Sequence, residues 1–273
     1  MLAQQLVREG DLGAALAALQ DAVRKDAANA KLRVFLFQLL AVMGQWPRAL
    51  AQLNVAGELD AATLPMVQTY RAAIQCEALR ADIFAGLRVP LVFGEPQPWL
   101  AQLIEALKHD ASDPARAADA RAQALDAAPA SAGSIDGTRF AWLADADLRL
   151  GPVLEAIVDG RYFWIPLCRI RHIAFEAPAD LRDTVWSPAS FTWANGAGSV
   201  GLVPARYSGT AASGDDGLLL GRRTEWRGEE VLGQRMFVSD AGDHPLLDAR
   251  DIAFDAVLED GADTDNAEVA QHG

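Results

Sequence analysis

The chain has 273 residues, 51% of them hydrophobic and 22% charged, the profile of a folded protein long enough for two modest domains. Its 24 basic and 37 acidic residues leave a net charge of −13, with lysine only at Lys25, Lys31 and Lys108. No cationic cluster is present to displace counterions from a polyphosphate or to hold an anionic lipid surface, so nucleic-acid and membrane partners are excluded. The first ten residues lack a basic stretch followed by an apolar one, and no run approaches the roughly 18 apolar residues of a membrane span. Cys76 and Cys168 belong to no metal or redox spacing and fit two buried thiols in a reducing compartment. Those features together place the expected location in the cytoplasm.

Residues 1–130 are rich in Ala and Leu at helical spacing, and they carry an internal repeat. Gly10-Asp11-Leu12, followed by Ala15, Leu16 and Leu19, recurs as Gly44-Gln45-Trp46, followed by Ala49, Leu50 and Leu53. The offset is 34 residues, the length of a tetratricopeptide unit. Glycine suits the tight turn between two antiparallel helices, and alanine lets those helices approach. The next register, at Ala78, shows no turn; Ala61–Gly86 reads as one or two uninterrupted helices. A weaker copy follows at Ser112-Asp113-Pro114, with Ala117 and Ala124 at the small positions. Stacked hairpins place their first helices on a concave surface, which by register holds Gln4, Val7, Arg8, Lys31, Val34, Gln38, Ala41 and Val42. Such a mixed lining suits a peptide or helix better than a small substrate.

Three prolines between Pro90 and Pro98 exclude regular helix there, and Trp99–Lys108 resumes an amphipathic one. Pro129–Ser134 is a run of small residues and breakers that marks a boundary. Beyond it, short aromatic and β-branched runs alternate with turns: Phe140–Leu143, a helix or strand over Gly151–Val158, the Asp159-Gly160 turn, Arg161–Leu167, Ile170–Phe175, Phe191–Trp193, the Asn195-Gly196 turn and Ser199–Val203. The expected class is α+β, a tetratricopeptide-like array over 1–130 and a smaller β-rich mixed domain over 131–254. Residues 255–273 hold six acids, no bases and no aromatics, and read as a disordered acidic tail.

Residues of types that carry chemistry elsewhere read more simply as structure. Gly196–Gly201 spells G-x-G-x-x-G, but Pro204 prevents the helix that a dinucleotide site opens, so a hairpin turn is expected. Asp145, Asp147 and Glu155 lack histidines at ligand spacing; Asp145-Ala146-Asp147 fits a turn or cap with Arg149 or Arg161 as ion partner. No nucleophile motif occurs, and neither a metal nor a cofactor is expected. The rival reading is an enzyme with a polar site at the domain junction around Asp145, Asp147 and Arg161. Arginine and tryptophan are dense over 160–235, which fits either a filled core or an exposed docking face.

Longer stretches carry a family resemblance: Leu91–Trp99, Trp142–Asp147, Leu150–Glu155, Gly160–Tyr162, Phe191–Gly196 and Leu232–Met236. In these, and in their order, the chain resembles the ImpE/SciE/TagJ family, accessory proteins of bacterial type VI secretion systems. The resemblance implies a non-enzymatic cytoplasmic adaptor that binds the N-terminal helix of the small contractile-sheath subunit, TssB, and is linked to the ClpV unfoldase. The family offers no catalytic set to carry over. Trp99, Asp145, Asp147, Arg161, Trp193, Asn195 and Arg235 stand as motif residues of unassigned role.

Overall fold

The computed structural model describes residues 1–228 and 230–255. Helices α1 (Leu2–Glu9), α2 (Leu12–Lys25), α3 (Ala30–Val42), α4 (Trp46–Leu59) and α5 (Leu64–Phe84) follow one another, then strand β1 (Leu91–Val92) and helices α6 (Pro98–Leu107) and α7 (Pro114–Ala127). Three of these helices start at side-chain caps. The carboxylate of Asp11 accepts the Ala14 amide at 2.8 Å, and Asn29 and Asp113 cap α3 and α7 in the same way at 3.2 Å. Gly10 (φ +86°) ends α1 and Gly44 (φ +66°) follows the end of α3, both in the left-handed region that glycine tolerates. At the 34-residue offset, Leu12, Ala15 and Leu19 and their counterparts Ala49 and Leu53 are fully buried. The helical hairpins α1/α2, α3/α4 and α6/α7 are all formed.

The rest is β-rich: β2 (Gly133–Ile135), β3 (Thr138–Phe140), β4 (Leu143–Asp145), β5 (Val153–Val158), β6 (Arg161–Pro166), β7 (Ile170–Phe175), β8 (Trp186–Trp193) and β9 (Gly198–Pro204). A short helix α8 (Asp216–Leu219) precedes β10 (Thr224–Arg227), β11 (Glu230–Gly233), β12 (Met236–Ser239), β13 (Gly242–Pro245) and β14 (Asp251–Phe254). Nine strands form one sheet in the order β1-β6-β5-β9-β8-β7-β14-β2-β3; β13-β12-β4 and β10-β11 form smaller ones. The fold class is α+β, with a tetratricopeptide-like helical array followed by this β-rich part.

Within the large sheet, β5 is buried on both faces. Along β5, Val153 and Ile157 join the hydrophobic cluster of the helices, while Leu154, Ala156 and Val158 join a second cluster with Phe237, Leu246 and Ile252. Two-sided burial removes the polar alternation of an ordinary strand, which is why Gly151–Val158 was open to a helical reading. The expected strand over Phe140–Leu143 is instead broken at Ala141-Trp142: the Asp240 carboxylate accepts the Ala141 amide at 2.8 Å, and Trp142 turns to solvent. Gly196–Gly201 does form the β8–β9 hairpin, and a Cβ on Gly201 would stand 2.6 Å from the Ile157 carbonyl oxygen of the adjacent strand. Both cysteines are buried free thiols, and burial pushes the Cys76 thiol up to about 11.

The helical array is fastened to the β-rich part by its turns. Arg222 donates to the carbonyl oxygens of Val7 and Arg8 at 2.8 and 2.9 Å, and the Asp216 carboxylate accepts the Leu12 amide at 2.9 Å. At the second turn, Arg206 donates to the Val42 carbonyl at 2.7 Å, and Ala211 lies where a Cβ on Gly44 would stand. Of the expected acidic tail, Asp255 is ion-paired with Arg139, and the remainder lies outside the described residues.

Candidate functional site

The concave side of the array is a groove of about 700 Å³. Helix α1 contributes Gln4, Val7 and Arg8, and α3 contributes Lys31, Val34, Phe35 and Gln38, spaced by three or four residues so that they share one face. Val7 and Gln38 are buried in its floor, while Gln4, Arg8 and Lys31 are exposed. The opposite wall, Pro178–Thr184, comes from the β-rich part and was missed by reading the repeat alone. It is a 3-10 turn held by its own acids. The Asp183 carboxylate accepts the amides of Ala179 and Asp180 at 2.9 and 2.8 Å, and Arg182 lies 4.8 Å over the Tyr70 ring. The signal present in the sequence was Asp180-x-x-Asp183, a capping box behind a proline.

Ala41 and Val42 do not line the groove. Both are fully buried, with their carbonyl oxygens turned to the Arg206 guanidinium at 3.5 and 2.7 Å. The last turn of α3 is where the β-rich part docks, so the repeat register loses its exposed face there. A cation at those carbonyls also meets the negative end of the helix dipole. Burial lowers Arg206 to about 10, which leaves it charged at neutral pH.

Of the residues of the rival enzymatic site, Asp145 and Asp147 share one turn, but Arg161 does not join them. Asp145 is ion-paired with Arg235, and Asp147 forms a two-point pair with Arg149, with Nη2 to Oδ2 at 2.6 Å. Arg161 starts β6 on the surface, its guanidinium 5.4 Å over the Phe163 ring. Arg235 instead leads inward. It bridges Asp145 to Glu155, donates to the Pro204 carbonyl at 2.8 Å, and is fully buried. Glu155 points from β5 toward the helices and takes Arg80 of α5 through Nε at 2.6 Å and Nη2 at 3.0 Å, with the Tyr162 hydroxyl as a further donor.

Burial pushes the Glu155 carboxyl up, but Arg80 and Arg235 outweigh it and hold the group down at about 2. For Asp145 burial wins over Arg235, and the neighbouring Asp147 charge adds to it, so that carboxyl rises to about 6. Glu155 is spent on Arg80, Arg235 and Tyr162, Asp145 on Arg235 and the Asp147 amide, and Asp147 on Arg149, so these carboxylates serve internal pairing. Among the described residues no group of His, Cys, Asp and Glu is placed to hold a metal ion.

Known proteins resemble this chain over most of its length. A tetratricopeptide-repeat model matches residues 6–74, and a model described as ImpE protein matches 137–253. The chain is 56% identical over 257 residues to the type VI secretion system accessory component TagJ of Pseudomonas aeruginosa, spanning 93% of this chain and 92% of that protein. The chain belongs to the ImpE/TagJ family. The crystal structure of a Vibrio parahaemolyticus protein, 24% identical, superposes with a TM-score of 0.85 over 94% of this chain and 99% of that one, which shows a shared fold.

Within the ImpE/TagJ chain the remaining motif residues have structural surroundings. Trp99 is buried at the start of α6, its indole donating to Gln97. Trp193 is buried against Phe191 and Phe93, with ring centroids 4.9 and 4.2 Å away, and donates to Ser199 at 2.9 Å. Asn195 accepts the Ala197 amide at 2.9 Å and shapes the β8–β9 turn.

Proposed function

We propose that this chain is a non-enzymatic accessory component of a type VI secretion system. It works in the cytoplasm as an adaptor whose groove between α1, α3 and residues 178–184 receives the N-terminal helix of the small sheath subunit. Through the sheath it is linked to the ClpV unfoldase. What supports the reading is the groove, which puts Gln4, Val7, Arg8, Lys31, Val34 and Gln38 on one surface. Val7, Val34 and Phe35, flanked by the exposed Gln4, Arg8 and Lys31, fit an amphipathic helix presenting anchors at three- and four-residue intervals. Family membership supports the secretion-system assignment, since the Pseudomonas relative is named for that role.

The test is a pull-down with a synthetic peptide of the sheath subunit's N-terminal helix. Val34→Asp combined with Gln38→Arg is expected to abolish capture. Gln38 is buried, so the exposed pair Gln4→Glu and Lys31→Glu provides a second variant that leaves the core alone. Full capture by both, with native circular dichroism, would remove the groove from the proposal.

A further inference from the structure

A second surface shares no lining residue with the groove between α1 and α3. Where the strand expected over 140–143 breaks, Trp142 is thrown outward, 41% exposed. Leu148, in the turn after β4, is 59% exposed, and Trp226, at the tip of the β10–β11 hairpin, is 52% exposed. These three side chains come from separate segments and converge on one depression of about 490 Å³ whose floor includes Pro129 and Val238. The other tryptophans are buried or half-buried, Trp46, Trp164, Trp186 and Trp193 of them against neighbouring rings, so exposure sets Trp142 and Trp226 apart. Apolar side chains gathered from distant segments into an open depression mark a contact site more than scattered surface residues do.

The charges around it choose the occupant. Among the described residues, the charged ones lining the depression are Asp145 and Asp243, both acidic, with no Lys or Arg. Asp145 is committed to Arg235, whereas Asp243 stands exposed at the rim of β13. Indole faces attract cations as well as apolar groups. A second copy of this chain would bring another net charge of −13 against the same acidic rim, and an anionic membrane would be repelled for the same reason.

We propose that the Trp142–Leu148–Trp226 depression is a docking site for a basic, apolar peptide segment of another protein, with a Lys or Arg side chain lying over the indoles beside Asp243. It gives the molecule a second binding face independent of the helical groove.

The probe is a display library of random 12-residue peptides panned on the full-length chain. Expected clones carry Lys or Arg next to aliphatic or aromatic residues. Their capture should fall at least tenfold on Trp142→Ser/Trp226→Ser and on Asp243→Lys. Val34→Asp, in the other groove, should leave capture unchanged. Substitution at exposed positions preserves the fold, which circular dichroism checks, and Asp243→Lys tests the charge without touching the apolar floor. The proposal is overturned if no clone depends on Trp142 and Trp226, or if enriched clones are acidic or uncharged. It is overturned equally if light scattering finds a dimer that the double tryptophan variant returns to monomer.

Discussion

Glu155 stands between Arg80 and Arg235, and removing its charge would leave each buried guanidinium with one remaining carboxylate partner, Glu77 for Arg80 and Asp145 for Arg235. Glu155→Gln is therefore expected to destabilise by about 3–5 kcal/mol, read as a lower midpoint in urea unfolding. Asp145 behaves in the opposite sense with pH. Its folded carboxyl titrates near 6, above the ordinary 3.8, so the folded state binds the extra proton. The stabilisation from that proton is complete below about pH 4 and is lost as pH rises through 6. Lowering the pH from 7 to 5 should raise the thermal midpoint of the wild type, and Asp145→Asn should flatten that slope. Sequence reading recognised Asp145-Ala146-Asp147 as a turn, because Asp145 accepts the Asp147 amide two residues on, a local contact. The Arg235 partner was illegible: 90 positions separate it from Asp145, and nothing nearby in the chain records the pairing. The same holds for Arg80 and Glu155, which only the packing of α5 on β5 brings together.

Elements were legible where their periodicity met one buried face. The 34-residue offset located both repeat turns because glycine, the buried alanine and the buried leucine recur together, and each has its own physical reason. The second turn makes a test. Gly44 combines φ +66° with a position where a Cβ would fall 2.4 Å from the Ala211 Cβ. Gly44→Val must strain its backbone and push 210–212 away, at a cost of about 2–4 kcal/mol measured by chemical denaturation. Elements buried on both faces were ambiguous, as at β5, and breaks imposed by distant side chains were invisible, as at Ala141, held by Asp240. The groove shows the same division. Its α1 and α3 wall followed from the repeat, while the 178–184 wall depends on where the connection from β7 to β8 crosses α3.

At the scale of the whole molecule, the boundary near residue 130 is a change of texture that the interior does not respect. Trp186 of β8 packs against Trp46 and Tyr70, with ring centroids 5.8 and 5.7 Å away, and Trp164 of β6 packs against Phe84 at 5.9 Å. Helical and strand residues share one hydrophobic cluster, and β1, from the helical half of the sequence, pairs with β6. Scanning calorimetry is expected to record one unfolding transition, and residues 1–130 expressed alone should melt without cooperativity. Trp186→Ala removes a fully buried ring from that shared cluster and should lower the single midpoint by about 3–5 kcal/mol of stability, with no second transition appearing.

A free-standing solenoid grows by adding units, because each contacts only its neighbours. Here the corners at Gly10 and Gly44 are pinned to fixed stations along 206–222, one through Arg222 and Asp216, the other through Arg206 and Ala211. Inserting a consensus 34-residue unit after Lys25 would carry one corner past its station with nothing to meet it. The number of hairpins is thus dictated by the spacing of those anchors, and engineers seeking a longer trough would have to lengthen the strand scaffold along with it.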